Sequence, residues 1–132
     1  TRGPVIASHS NARGACFHLR NLSDEMIRQL AERGGVTGIN FCPSFLREEE
    51  PAAKKASTMD MVRHMKYLRN AGGIDIIGLG TDFDGFSGKT DVPDAAHMQH
   101  LADVMSHEGF TDEEIEKVFS KNVLRVFREC WK

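Results

Sequence analysis

Cysteine is scarce in this 132-residue sequence, with three residues at Cys16, Cys42 and Cys130. An odd number at wide spacings argues against a disulfide framework and against a cysteine-based zinc site. Isolated reduced thiols are expected, and with them a reducing, cytoplasmic compartment. Charge of one sign is also lacking, because the formal net charge is only −2. That leaves no electrostatic case for nucleic acid or an anionic membrane as partner. No apolar run approaches the length that spans a bilayer, and no signal peptide is visible. The first residue is Thr1 rather than Met, which fits a trimmed or partial chain.

What is present is ordinary for a globular protein, 40% apolar and 27% charged residues, enough for one modest domain over 1–132. Three short apolar runs organise it. Ile76-Ile77-Gly78-Leu79-Gly80 leads into Thr81-Asp82-Phe83-Asp84-Gly85. Pro4-Val5-Ile6-Ala7 leads into Ser8-His9-Ser10, and Val36-Thr37-Gly38-Ile39 into Asn40-Phe41-Cys42. Continuous aliphatics rather than alternation read as buried parallel strands covered on both faces. Polar groups at their carboxyl ends sit where α/β sheets and barrels build their sites.

Each run precedes a helical pattern. Ser23 is a plausible N-cap ahead of Asp24, Glu25 and the apolar face of Met26, Ile27, Leu30 and Ala31, with Gly34-Gly35 as the stop. Ser57 or Thr58 caps a second helix with a stripe of Met61, Val62, Met65 and Leu68, ended by Gly72-Gly73. A third helix is predicted from Pro93 to Glu108. Thr111-Asp112-Glu113-Glu114 reads as a capping box, and Val123–Phe127 as a final packing helix. Residues 42–57, with the run Arg47-Glu48-Glu49-Glu50, read as a solvated connection. The fold class that follows is α/β, with about three parallel strand–helix units in sequence order, helices on the outer side and right-handed crossovers.

Three side chains stand out for chemistry. His9, at a strand end between two serines, is either a buried histidine bonded to backbone or an imidazole suited to zinc. Arg20 is either a solvated loop arginine or a clamp for a substrate carboxylate. Asp82 and Asp84, on a segment expected to be extended, are expected to point to opposite sides, one toward the site and one capping the following turn. His18, His64, His97, His100 and His107 fall mostly in helix or loop positions expected to face solvent.

Taken together, Ser8-His9-Ser10, Arg20-Asn21-Leu22 with Asp24-Glu25, Gly38-Ile39-Asn40-Phe41, Gly78 to Gly85, and Asn122 to Phe127 resemble the membrane (renal-type) dipeptidase family in order and spacing. The resemblance covers essentially the whole chain. It implies the C-terminal part of a metal-dependent (β/α)8 TIM barrel, from the sixth strand onward. It implies that His9 binds one of two zinc ions, that Arg20 holds the dipeptide's carboxylate, and that Asp82 assists proton transfer at the scissile amide. The family's other metal ligands lie upstream of the matched region. The expected partners are therefore a dipeptide, the upstream portion of the barrel, and further copies of the chain in a homo-oligomer. The isolated chain is expected to bind zinc incompletely and to lack activity.

Two other readings stay open at this level. Asp-x-Asp-Gly after an apolar strand resembles the nucleophile motif of haloacid-dehalogenase-like, magnesium-dependent phosphatases, with Asp82 as nucleophile. That reading explains neither Ser8-His9-Ser10 nor Arg20-Asn21. The other is a non-catalytic half-barrel that assembles with a partner chain across its exposed strand edges.

Overall fold

The structure is a computed structural model that describes residues 2–49 and 51–131. Its centre is a parallel sheet of β1 (Ile6–Ala7), β2 (Val36–Ile39) and a third strand, Ile77–Leu79, in that order. Ile6 pairs with Val36, and Gly38 with Gly78. The order and the parallel direction agree with the sequence reading. The burial of the first strand does not, since Val5 and Ile6 are nearly two-fifths exposed at an open edge.

α1 (Asp24–Glu32) follows β1, and Ser23 caps it by accepting from the Met26 amide. The predicted solvated connection after β2 is partly ordered. It contains a helical turn, α2 (Pro43–Leu46), and a two-residue strand, β3 (Lys55–Ala56). Pro43 starts the turn because proline fits the first helical position, and Leu46 and Ala53 bury there. α3 (Thr58–Gly72) opens on a complete capping box between Ser57 and Asp60. A 3-10 turn, Ile74–Ile76, leads into the Ile77–Leu79 strand, named β4. β5 (Lys89–Thr90) pairs in parallel with β3.

The helix predicted over 93–108 begins later than expected, as a 3-10 turn at Ala95–His97 that continues as α4 (Met98–His107). Asp94 caps the turn by accepting from Ala96, which moves the start past Pro93. The last two predicted helices are one. α5 (Asp112–Glu116), begun by the Thr111–Glu114 capping box, widens into a π turn at Lys117–Lys121 and continues as α6 (Asn122–Cys130). The core joins Ile27 of α1, Met61, Met65 and Leu68 of α3, Ile39 and Ile77 of the sheet, and Leu101 and Met105 of α4.

His64 corrects the expectation of a solvent-facing side chain. It is fully buried on α3, accepts from the Ala12 amide at Nδ1, and reaches the Leu46 carbonyl through Nε2 at 3.1 Å. Burial pushes its pKa down to about 4. Among the described residues, no helix is long and apolar enough to cross a membrane.

Candidate active site at the strand ends

The carboxyl ends of the three central strands converge because glycine lets them. A side chain at Gly80 would collide with the Ser8 carbonyl and crowd the His9 backbone, and one at Gly38 would meet the same carbonyl. With both positions bare, Ser10 donates to the Gly38 carbonyl at 2.9 Å and Gly80 donates to the Ile39 carbonyl at 3.1 Å. The ladder thus runs on past the strands and delivers His9, Asn40 and Asp82 to one end of the sheet.

His9 is half-buried. Its Nδ1 lies 2.6 Å from Ser8 Oγ and its Nε2 lies 3.2 Å from an Arg20 guanidinium nitrogen. A guanidinium can only donate. His9 Nε2 therefore accepts, which places the ring proton on Nδ1, toward the serine. The Nε2 lone pair is directed at Arg20.

Arg20 is exposed, yet its loop is tightly built. Its amide donates to His18 Nδ1, its guanidinium sits 5.5 Å from the Phe45 ring centre, and His18 packs on the same ring. Arg13 braces the loop from behind by donating to the His18 and Leu19 carbonyls. Asn21, fully buried, donates to the Cys16 and Phe45 carbonyls.

Asp82 departs from the extended geometry expected for it. Its φ is +59°, in the left-handed region that non-glycine residues seldom occupy. The Gly85 amide donates back to the Asp82 carbonyl at 2.9 Å, closing a turn over Asp82–Gly85. Phe83, in that turn, packs edge-on against Phe41 with ring centres 5.6 Å apart. Asp84 is exposed. The two carboxylates differ because the chain turns between them; on an extended strand, residues two apart would share a face.

Asn40 and Asn11 are the site residues that the sequence named without giving them a role. Both are fully buried. Asn40 Nδ2 lies 3.4 Å from Asp82 Oδ2 and 3.4 Å from the His9 carbonyl. A polar residue closing an apolar strand was the available signal for Asn40. Asn11 gave no such signal, because it lies in an irregular stretch.

The fit of this surface to a metal is limited. Among the described residues, no three His, Cys, Asp or Glu side chains are grouped to hold an ion. His9 stands as a single imidazole, whereas a zinc ion takes about four ligands. A cleft of about 620 Å³ lies near the Arg20 loop and is lined by Phe17, His18, Ser44 and the charged run Arg47–Glu49. His9, Arg20 and Asp82 stand outside it.

Comparison with known proteins places the chain and its fold. The sequence is 35% identical over 128 residues to an uncharacterised protein from the pqqA 5′ region of Klebsiella pneumoniae, covering 97% of this chain and 47% of that one. It is 35% identical to the dipeptidase tcpJ of Claviceps purpurea over 96% of this chain and 29% of that one. The fold superposes with a TM-score of 0.92 on a metallopeptidase from Rhodobacter sphaeroides, solved with a phosphinate mimic of the dipeptide L-Ala-D-Ala. That match is 29% identical and covers 99% of this chain and 37% of the other. The chain thus spans less than half the length of these relatives. The phosphatase reading finds no support among them. The family profile described as membrane dipeptidase, peptidase family M19, matches residues 1–131, and the chain belongs to that family.

Proposed function

We propose that this chain supplies the substrate-holding and proton-transferring face of a zinc-dependent dipeptidase. The observation that carries the reading is the convergence of His9, Arg20 and Asp82 at the carboxyl end of three parallel strands. The Arg20 guanidinium, steadied over Phe45, takes the dipeptide's terminal carboxylate through two parallel charge-assisted hydrogen bonds. This fixes how far the scissile amide lies from Asp82. Asp82, held in its turn, takes a proton from the attacking water and passes it to the leaving amine. With Arg20 turned to the substrate carboxylate, His9 Nε2 would be free to hold one metal of a two-zinc site; among the described residues, no group of three His, Cys, Asp or Glu side chains completes such a site. The complete barrel portion is the partner this reading requires. The three cysteines are free, with Cys16 buried and Cys130 exposed, and a reducing compartment belongs to the same proposal.

Two measurements test it. In the polypeptide expressed from its own gene, Arg20→Ala should raise KM for an unblocked dipeptide on the order of 100-fold, as expected for a lost bidentate charge pair. A C-terminally amidated dipeptide should be a poor substrate. Asp82→Asn should lower kcat on the order of 100-fold or more with little change in KM. An Asp82→Asn enzyme with unaltered kcat would remove the role given to this residue. The 132-residue chain dialysed against zinc should hold less than one ion per chain and release no amino acids from a dipeptide. Two tightly bound zinc ions, with turnover abolished by His9→Ala, would refute the incompleteness.

A further inference from the structure

We propose that Asn40 is a positioning residue that aims the Asp82 carboxylate. The proposal rests on the role given to Asp82 above.

The argument starts with Asn11. Its side chain meets the Asn40 backbone in both directions, donating to the carbonyl at 2.9 Å and accepting from the amide at 2.7 Å. A fully buried amide therefore locks the main chain of Asn40. The Asn40 side chain is oriented by its own neighbours. Its Oδ1 accepts from the Cys42 amide at 2.8 Å. Its Nδ2 faces the His9 carbonyl and Asp82 Oδ2, each at 3.4 Å. The opposite amide orientation would put Oδ1 against two acceptors and Nδ2 against a donor, so the neighbours leave one choice. One amide therefore joins the ends of β1, β2 and β4.

Asp82 needs such a hold. Its backbone is in the sparsely populated left-handed region at φ +59°, and a conformation of that kind persists only where the surroundings over-determine it. Gly85 closes over the carboxylate so tightly that a side chain there would overlap it. Asn40 and Gly85 together restrict the carboxylate to one direction. The same Asn40 amide faces the His9 carbonyl, so the backbone of His9 and the Asp82 carboxylate are tied to a single side chain, while Arg20 is held separately over Phe45.

Asn40→Asp discriminates between this role and simple support of the turn. It keeps an oxygen to accept from Cys42 but replaces the donor facing Asp82 with an acceptor. Asn40→Ala removes both. In the 132-residue chain, three-bond couplings to the Asp82 carboxyl carbon should report one χ1 rotamer in the wild type and rotamer averaging in both variants, while Asn40→Asp leaves the Cys42 amide shift in place. In the polypeptide expressed from its own gene, both variants should lose on the order of 10- to 100-fold in kcat, the scale of a misplaced catalytic group, with KM within about twofold. In an Asp82→Asn background neither should reduce kcat further. A single Asp82 rotamer with wild-type kcat in Asn40→Asp would overturn the proposal, and so would losses that add to those of Asp82→Asn. An Asp82→Asn enzyme with full kcat would instead strike at the role of Asp82 itself, a result visible before any Asn40 variant is made.

Discussion

The helical layer behind the sheet and the strand ends above it both contain fully buried side chains, yet they are ordered by different forces. Behind the sheet, Met61, Met65 and Leu68 of α3 meet Ile27 of α1 and Leu101 and Met105 of α4, all without solvent exposure. Those contacts are non-directional and depend on filled volume. At the strand ends the fully buried side chains include Asn11, Asn21, Asn40 and Thr37, each bonded to a backbone group of another segment. Those contacts are directional, and each buried amide is costly if left unpaired. The first region tolerates changes of shape that conserve volume. The second fixes distances between functional groups and tolerates almost no change of chemistry.

The comparison is most sharply tested by making the strand end as apolar as the helical layer. Asn11→Leu keeps the branched outline of the side chain but strands the amide and carbonyl of Asn40. Two buried groups without partners should cost about 2–5 kcal/mol in urea unfolding. A loss under about 1 kcal/mol would show that the two regions are held alike.

Acid should separate them next. His64 joins the two regions, and burial holds its pKa at about 4 against an ordinary 6.5. Its folded pKa is depressed, so the folded state binds its proton later than the unfolded state does. Stability is therefore unaffected above about pH 7 and falls as pH drops from about 6.5 toward 4, by about 3 kcal/mol. His64→Gln should flatten that slope in unfolding curves measured across the range. An unchanged slope would mean that other groups set the acid sensitivity.

A methyl at the strand crossing should cost less. Gly80→Ala places a carbon against the Ser8 carbonyl and should destabilise by about 1–3 kcal/mol through forced separation of the strand ends. It should also disturb His9 amide shifts more than any shift in α3 or α4.

The smallest effect belongs to the helical layer. Met65→Leu conserves volume and should cost less than about 1.5 kcal/mol by thermal unfolding. A larger loss there would mean that the layer is as exacting as the site.

The same contrast explains what could be read from the sequence. Burial by volume leaves periodic apolar runs, so the three strands, α1 and α3 were legible, as were the caps at Ser23, Ser57 and Thr111. His9, Arg20 and Asp82 were legible as candidates because each closes or follows an apolar run. His64 was misjudged although it sits in register with Met61, Met65 and Leu68, because polarity outweighed its place in the stripe. The turn at Asp82 was missed because a left-handed aspartate leaves no compositional mark. The short elements α2 and β3 were missed because their order comes from distant partners, such as β5. Asn11 escaped for a related reason, since its partner is 29 residues away.

His64 also has a consequence for the order in which the chain can acquire its shape. The Ala12 amide finds its acceptor 52 residues later, and the Leu46 carbonyl finds its partner 18 residues later. During synthesis the loop carrying Arg20 therefore leaves the ribosome well before the imidazole that anchors its root. Until α3 emerges and docks, that loop is closed only by its own backbone bonds between Asn11–Arg13 and Leu22, and contacts of such long sequence separation as those of His64 form slowly. The guanidinium end of the site is made early but gains this anchor only with α3, so slowing translation between Arg20 and His64 prolongs the interval in which Phe17 and Leu19, both largely exposed even in the finished fold, are open to other chains.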